Sequence, residues 1–247
     1  MKKIEITIGL ILLFSSALIV HGYAEGVAKI KRFEGAVSVL KKGAEKWREA
    51  RVNMPLNTGD AVYAREESFA EIVYSSGALL RMDEDSKIII EEATENSVKT
   101  STTVGNVWAN MRKLVSSKKE FELSSPTATA AIRGTVFQME ANADSSTDIS
   151  VFQGTVAVGP GTGARQQPST GPADIVEVPG PQEIPGPYEV SLDQWRMIVA
   201  GQMISVNKQG KFSEKKFDAA KAAKDDFVKK NLELDKELEK ELKGDKE

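Results

Sequence analysis

The sequence predicts a mainly β protein that ends in an α-helix. Between residues 25 and 159, short segments of alternating apolar and polar residues recur about every 8–12 residues and are separated by turn signals. From residue 213 to residue 247, apolar residues instead recur at three-, four- and seven-residue steps. The first pattern is typical of an all-β domain, either a sandwich or a solenoid-like stack of short strands. The second predicts a charged amphipathic helix.

The N-terminal segment, residues 1–24, has the features of a secretory signal peptide. Lys2 and Lys3 precede an apolar stretch that runs from Ile6 to Val20, and small residues surround the expected cleavage point after Ala24. This stretch is short for a membrane span, which needs about 20 residues. We therefore expect an exported protein, in the periplasm or outside the cell, with no transmembrane span after cleavage. A retained signal anchor is the alternative.

The β domain is predicted over residues 25–159, a length that is sufficient for one hydrophobic core. Its candidate strands are the stretches 36–40, 61–64, 69–74, 78–82, 87–91, 107–111, 121–123, 149–152 and 155–158. Turns rich in glycine, serine or acidic residues separate many of them. This spacing favours hairpins over βαβ units.

One run in this domain carries more information than the others. Small residues, Pro126, Arg133 and Gly134 precede an alternating strand that contains Thr135 and Phe137. Such a run predicts a tight entry and a close backbone approach, followed by a half-buried strand. It contains neither a nucleophile paired with a base nor a cluster of metal ligands.

Two segments are predicted between the β domain and the helix. Residues 160–187 hold seven of the nine prolines and form a Pro/Gly-rich linker. Residues 188–212 form a trailing β segment that docks on the domain, with strands at 188–190 and 203–206. Residues 192–199 fit either a strand or a capped helix.

The C-terminal helix is predicted over residues 213–247, with Ser213 as its N-cap. Its apolar stripe includes Phe217 and Phe227, which favour burial against another surface. The helix could therefore dock on a partner or associate with a second copy. The alternative is a solvated helix that is tethered to the β domain.

The composition excludes several kinds of catalytic and metal site. The chain has no cysteine, and its one histidine, His21, lies in the signal segment. Disulfides, Cys–His and Ser–His–Asp sites, and zinc sites with Cys or His ligands are therefore excluded. The net charge is −3, or −4 without the signal segment, which gives no basic footprint for nucleic acid. We expect a protein that is not an enzyme and has no cofactor.

Three remaining groups of polar residues could in principle carry chemistry. The acidic turn 83–85 could bind calcium, but it lacks the glycine and the alternate spacing of a calcium loop. Asp60 with Glu66 and Glu67 could form a glycosidase pair, but nothing fixes such a pair. The stretch 116–119 lacks the Ser-x-x-Lys order. The favoured interpretations are a solvated turn for 83–85, capping of a turn by the Asp60 side chain, and an exposed polar turn for 116–119.

The three tryptophans, Trp47, Trp108 and Trp195, could form a platform for carbohydrate, because aromatic faces stack on sugars. They lie far apart in the sequence. Trp47 and Trp108 alternate with strand residues, which is more typical of packing in or near a core.

The β region resembles the FecR domain family over residues 27–158. Leu56 to Asp60 is similar to the family's L-x-x-G-D turn, and Pro126 to Phe137 is similar to its P-x-A-x-x-x-R-G-T-x-F run. The matching signature positions are Gly59, Asp60, Gly77, Gly105, Pro126, Arg133, Gly134, Thr135, Phe137 and Gly154. We expect these residues to be structural. For Arg133, pairing with a carboxylate or capping of carbonyl groups is favoured over a binding role.

The resemblance implies an extracytoplasmic, all-β domain without catalytic activity. In the best-known members this domain is the periplasmic half of a single-pass regulator, which responds to an outer-membrane iron transporter and controls a sigma factor through a cytoplasmic domain. Only a few residues precede the apolar segment here. We therefore expect a stand-alone exported member without direct control of a sigma factor.

Three hypotheses about function follow. The first is an interaction or scaffold protein of the bacterial cell envelope. The second is a secreted module that binds a polysaccharide or peptidoglycan. The third is a component of an envelope signalling system related to the regulation of iron transport. The partner is accordingly an envelope protein or a cell-wall polymer.

Overall fold

The structure is a computed structural model that describes residues 26–94, 96–112, 120–161 and 195–244. Within these residues the strands are β1 (Ala28–Glu34), β2 (Val37–Leu40), β3 (Arg48–Glu49), β4 (Pro55–Leu56), β5 (Ala61–Ala64), β6 (Phe69–Tyr74), β7 (Leu79–Met82), β8 (Ser86–Ala93), β9 (Ser97–Asn110), β10 (Glu120–Ser124), β11 (Ala128–Ile132), β12 (Val136–Ala141), β13 (Thr147–Gln153), β14 (Thr155–Pro160), β15 (Arg196–Val199), β16 (Gln202–Val206) and β17 (Phe212–Lys216). The helices are α1 (Ala219–Ala222) and α2 (Asp226–Gly244). The predicted signal segment, nearly all of the predicted linker, the predicted strand at 188–190 and the stretch 116–119 lie outside the described residues.

The strands form two sheets that share β9. Sheet A has the order β4-β1-β6-β7-β9-β12-β13-β16-β17. Sheet B has the order β3-β2-β5-β8-β9-β10-β11-β14-β15. Residues 97–104 of β9 pair in sheet B, and residues 105–110 pair in sheet A. Among the described strands, β9 and β10 form the one parallel pair.

The two sheets face each other across one hydrophobic core. Buried residues of sheet A, such as Ile72, and of sheet B, such as Ile88, belong to the same cluster. The rings of Tyr74 in sheet A and Phe121 in sheet B lie 5.2 Å apart, edge to face. The prediction of a mainly β fold with a C-terminal helix is confirmed. The layers form a sandwich, while the strands advance along both sheets in nearly chain order, as in a stack.

Strand β9 is longer than the sequence indicated. The prediction covered residues 107–111, but the strand begins at Ser97. In its first half the inward positions are occupied by Thr100 and Thr102, which are fully buried. Tyr74 Oη and Thr100 Oγ1 lie 2.7 Å apart in a hydrogen bond. A buried threonine whose hydroxyl is hydrogen-bonded can take the place of an apolar residue. The inward positions of this strand are therefore polar, and its sequence does not show the alternation of apolar and polar residues that predicts a strand.

Gly105 marks the point where β9 passes from one sheet to the other. Its φ is +99°, a conformation that L side chains rarely adopt. A Cβ atom at this position would lie 2.2 Å from Ser86 Oγ and 2.4 Å from Ser86 Cα. The bend and the close approach to β8 therefore both require glycine.

The C-terminal segment differs from the prediction at its start. Residues 213–216 belong to β17, so Ser213 lies in a strand and does not cap a helix. The long helix α2 begins at Asp226, and the Asp225 Oδ1 atom accepts a hydrogen bond of 2.9 Å from Val228 N, as an N-cap does. The described part of the ambiguous stretch 192–199 is strand β15. No helix in the described ranges has the length and apolar character that a bilayer crossing requires.

Candidate interaction surfaces

The signature residues of the sequence lie at turns, at bends and in the core. Gly59, Gly77, Gly105, Gly134 and Gly154 all have positive φ angles, Thr135 and Phe137 are fully buried, and Pro126 and Arg133 are exposed. Among the residues that the structure describes, no three acidic or histidine side chains gather in a way that could hold a metal ion. The structural role of the signature residues remains a prediction.

Asp60 organises the turn between β4 and β5. Its carboxylate is 2% exposed and accepts hydrogen bonds from Lys41 Nζ at 2.6 Å, Asn57 N at 2.8 Å and Lys42 N at 3.0 Å. Burial alone would raise the pKa of Asp60, but these donors and the Lys41 charge hold that pKa below its usual value. Asp60 therefore serves this turn and does not pair with Glu66 or Glu67 in the described hydrogen bonds.

Replacement of this carboxylate is expected to destabilise the fold in a pH-dependent way. Asp60→Asn should lower the free energy of unfolding by about 1–3 kcal/mol at neutral pH, because two backbone donors and a lysine lose an anionic acceptor. Since the folded pKa is lowered, this stabilisation is present above the pKa of the unfolded chain and is lost as pH falls through the folded pKa. Urea unfolding of both proteins at pH about 7 and about 3 tests this. A difference that is equal at both values would contradict it.

As far as the described residues show, the outer face of sheet B is open, and it carries two shallow grooves. One groove has a volume of about 400 Å³ and the other about 450 Å³, and Lys99 and Glu122 line both. The walls combine small and hydroxyl side chains, such as Ala157 and Ser101, with charged ones. Met197 on the edge strand β15 is 65% exposed and Val199 is 45% exposed. We call this surface the open face.

Two of the three tryptophans lie on the open face. Trp47 contacts Tyr63 of β5 edge to face at 6.1 Å, and Lys87 Nζ lies 5.6 Å from its ring centroid. Trp195 lies flat against Gly159 of β14, where an added Cβ would be 2.6 Å from its ring. Trp108 is fully buried on the other side of the sandwich and cannot join a platform with them.

Arg133 lies in the wall of the first groove, at the end of β11. Its side chain is exposed, and it forms no ion pair with another described residue. The position is therefore accessible to a ligand of the open face.

The outer face of sheet A is covered by α2. Phe227 and Val228 at the start of the helix pack on Phe69, Trp108 and Val136 of the sheet. The Trp108 ring also lies 4.5 Å from that of Phe152 in β13, centroid to centroid. This apolar patch fixes the first turns of α2 on the sheet.

Beyond the apolar patch, α2 is held by buried charges. Asp235 Oδ1 accepts a hydrogen bond of 2.6 Å from Arg81 Nη1, and Asp235 Oδ2 accepts one of 3.2 Å from Trp108 Nε1. Arg112 Nη2 lies 3.5 Å from the same oxygen, Oδ2. Arg112 also pairs with Glu239 on the next turn of the helix. We call Arg81, Trp108 and Arg112 the carboxylate pocket.

The pocket is supported from within the sheet by Glu71. Arg81 Nε donates a hydrogen bond of 2.5 Å to Glu71 Oε2, and the side chains of Arg81 and Glu71 are 1% and 0% exposed. Lys31 and Arg32 of β1 pair with the same carboxylate at 3.0 and 3.1 Å. Burial would raise the pKa of Glu71, but Arg81 and then Lys31 hold it below its usual value. Glu71 is therefore ionised and fixes the direction of the Arg81 guanidinium.

Residues 60–157 match the family model described as FecR protein. This stretch is a FecR domain. Two crystal structures of a candidate anti-sigma factor from Parabacteroides distasonis ATCC 8503 are similar, each 15% identical with a TM-score of 0.46. The alignments cover 65% and 66% of this chain, and 61% and 63% of those chains, so this chain matches less than two thirds of their length. A comparison with curated protein sequences finds no match.

The carboxylate pocket and the residue that fills it lie in different parts of the chain with respect to the FecR domain. Glu71, Arg81 and the other residues of the carboxylate pocket lie within the matched segment. Asp235, which fills the pocket, lies 78 residues beyond its end at residue 157. The carboxylate pocket therefore lies within the matched segment, and a later segment of the same chain supplies the carboxylate that fills it.

A group of acidic side chains lies where α2 begins. Around Asp83 are Glu34 from β1, Glu67 and Glu84 from neighbouring turns, and Asp225, Asp226 and Lys230 from the start of the helix. Burial is the main reason why the pKa of Asp83 is raised, to about 6. A hydrogen bond with the Glu84 backbone and the charge of Lys230 lower this pKa, whereas the charges of Asp225 and Glu84 raise it further. Lys230 also pairs with Glu34 at 2.8 Å and lies 4.0 Å from the Phe69 ring centroid. At neutral pH the Asp83 charge therefore opposes docking of the helix.

Removal of that charge is expected to stabilise the protein at neutral pH. Because the folded pKa of Asp83 lies above the unfolded value, the penalty is absent below about pH 4, grows as pH rises, and is complete above about pH 6. Asp83→Asn should raise the free energy of unfolding by about 1–2 kcal/mol at pH 7, less than full linkage gives because the carboxyl is partly exposed. Thermal unfolding of both proteins across this pH range tests the prediction. A gain that persists at pH about 4 would contradict it.

Proposed function

We propose that this protein is an exported interaction module of the bacterial cell envelope, without catalytic activity, that binds a protein partner across the open face. The observation that carries the proposal is the contrast between the two outer faces of the sandwich. Helix α2 packs on sheet A, whereas sheet B presents grooves beside Met197 and Val199, which are well exposed. Exposed apolar residues with a polar surround are typical of binding surfaces.

The FecR domain supports a role in envelope signalling as the setting of this interaction. The N-terminal segment, with its short apolar stretch, supports export. A mature N-terminus at Glu25 would support a released protein, and it would exclude a signalling component that anchors itself. The partner is then an envelope protein that meets the open face outside the cytoplasm.

Site-specific photo-cross-linking in cells tests the proposal. A photoreactive amino acid is placed at Met197 on the open face and, as a matched control, at Val52, which is 57% exposed on a distant loop. We expect a discrete protein adduct from position 197 and none of that size from position 52. The same adducts from both positions, or none from position 197, would contradict the proposal.

A second candidate is binding of a cell-wall glycan, and the shared location of Trp47 and Trp195 favours it. The two aromatic side chains lie towards opposite sides of a face lined with hydroxyl groups, and aromatic stacking with polar contacts suits a sugar chain. Titration with soluble peptidoglycan fragments, followed by tryptophan fluorescence, tests it. We expect a change that both Trp47→Phe and Trp195→Phe reduce, since Trp108 is buried and gives a constant signal. Unchanged emission across a panel of envelope glycans would remove this candidate.

A further inference from the structure

The carboxylate pocket has the properties of a ligand site. Of its two arginines, Arg81 is 1% exposed, and its Nε is held by Glu71, a partner that does not belong to α2. Trp108 Nε1 and Arg81 Nη1 donate to different oxygens of Asp235, so the pocket contacts both oxygens of one carboxylate. Paired donors of this kind recognise a carboxylate by geometry as well as by charge.

The part of this face that lies beneath the middle of α2 is rich in positive charge, whereas the part beneath the start of the helix is acidic. Lys31, Arg32, Arg81 and Arg112 lie along this face, with Glu71 as their acidic partner in the sheet. Asp235 and Glu239 of the helix offset much of this charge. Without the helix, the face would present cations beside an apolar patch, which is complementary to an acidic amphipathic helix.

The pattern on α2 shows what the face recognises. Phe227, Asn231, Asp235 and Glu239 follow one another at four-residue steps and therefore lie along one side of the helix. Phe227 packs on the apolar patch, the Asn231 side-chain oxygen lies 3.3 Å from Arg81 Nη1, and Asp235 fills the pocket. Such four-residue anchors are the usual form of helix-in-groove recognition.

The helix is also held in a way that permits exchange. Its most deeply buried apolar side chains are Phe227 and Val228. Leu238 is slightly less buried, Leu232 and Leu234 are only partly buried against the same patch, and much of the remaining surface is charged and exposed. Buried ion pairs contribute specificity more than net stability, because desolvation of the charges offsets their attraction. The acidic group around Asp83 further opposes docking. An equivalent helix from outside could therefore compete.

We propose that the face of sheet A under α2 is a receptor for an acidic amphipathic helix of a partner protein, and that α2 is its internal occupant. The recognised pattern is an apolar pair followed by a carboxylate seven to eight residues later. Binding of the partner helix releases α2. This proposal concerns a different face from the one that carries the proposed function and does not depend on it.

A labelled peptide with the sequence of residues 225–244 serves as the probe, and its binding to the full chain is followed by fluorescence anisotropy. In the wild-type chain α2 occupies the face at high effective concentration, so little binding is expected. The Asp235→Ala chain should bind the peptide at least about 10-fold more tightly, because its own helix loses its charged anchor. The matched control Glu237→Ala, at an exposed position of the same helix, should bind like wild type.

The peptide is varied as well. A peptide with Asp235→Ala should lose binding. One that keeps the anchors Phe227, Val228, Asn231, Asp235 and Glu239, together with the buried Leu238, and changes the other positions should retain it. Circular dichroism checks that each chain is folded, and Asp235→Asn, which preserves side-chain size, serves as a second released variant.

Three outcomes would overturn the proposal. The first is equal peptide affinity for the wild-type, Asp235→Ala and Glu237→Ala chains. The second is no binding to folded Asp235→Ala and Asp235→Asn chains. The third is a wild-type dimer that exchanges α2 between copies, detected by light scattering and inter-chain cross-links, because the external occupant would then be a second copy and not a partner.

Discussion

Arg81→Ala is expected to lower the free energy of unfolding by about 3–5 kcal/mol and to release α2 from the sheet. The arginine is 1% exposed and is the main cation for Glu71 and for Asp235, at 2.5 and 2.6 Å. Its removal leaves two carboxylates in or near the interior without their strongest partner. An uncompensated buried charge is far more destabilising than the loss of a surface pair.

Urea unfolding measures the total loss, and hydrogen exchange of residues 226–244 reports the release of the helix. The control is Lys99→Ala, which breaks the Lys99–Glu92 pair, where both side chains are more than 40% exposed. That change should cost less than about 1 kcal/mol. A similar loss for both variants, or full protection of α2 in Arg81→Ala, would show that the buried charges do not hold the helix.

Gly105→Ala is expected to destabilise the protein by about 2–5 kcal/mol, since backbone strain at positive φ adds to overpacking. The added Cβ would meet both the side chain and the backbone of Ser86, at 2.2–2.6 Å, so a side-chain rotation cannot relieve the contact. Residue 105 also lies where β9 passes from sheet B to sheet A. A backbone shift there disturbs the pairing of β9 with β8 in sheet B and with β12 in sheet A.

Gly43→Ala separates the two causes. Gly43 also has a positive φ, +75°, but an added Cβ at this position would have no atom within 4 Å. It should therefore show the strain alone, about 1–2 kcal/mol. Thermal or urea unfolding of the two variants gives the comparison. Equal losses would mean that the contact with Ser86 relaxes without cost.

The strands that sequence reasoning located are those whose inward positions are apolar. In β8, Ile88 and Ile90 are buried and alternate with polar residues, and the prediction of a strand there agrees with the structure. The first half of β9 was missed because threonines occupy its inward positions. The start of α2 was placed too early because the stretch from residue 213 fits the residue spacing of a helix as well as that of a strand. In the structure this stretch pairs with β16 and is therefore a strand.

The burial of charged residues between sheet A and α2 was not predicted from the sequence, and the reason lies in the residue types. Glu71 and Arg81 occupy alternate positions in strands and therefore look like solvent-facing residues. Arg81 is instead covered by helix α2, whose Asp235 lies 154 residues later in the chain, and Glu71 is enclosed by Arg81, Lys31 and Arg32. A single-sequence pattern cannot report a contact at that separation. The available signal was the four-residue spacing of Phe227, Asn231 and Asp235 on the helix.

Strand β9 has a consequence for regulation, because one continuous backbone serves both outer faces. Lys99 and Ser101 lie in the grooves of the open face, and Trp108, seven residues after Ser101, lies in the carboxylate pocket. A ligand of the open face that shifted this strand would also move Trp108, and would thereby change the affinity of the carboxylate pocket for α2. Thermodynamic reciprocity then requires that occupancy by α2 alters binding on the open face by the same factor. If both proposed surfaces bind their partners, strand β9 is therefore the expected route of coupling between them.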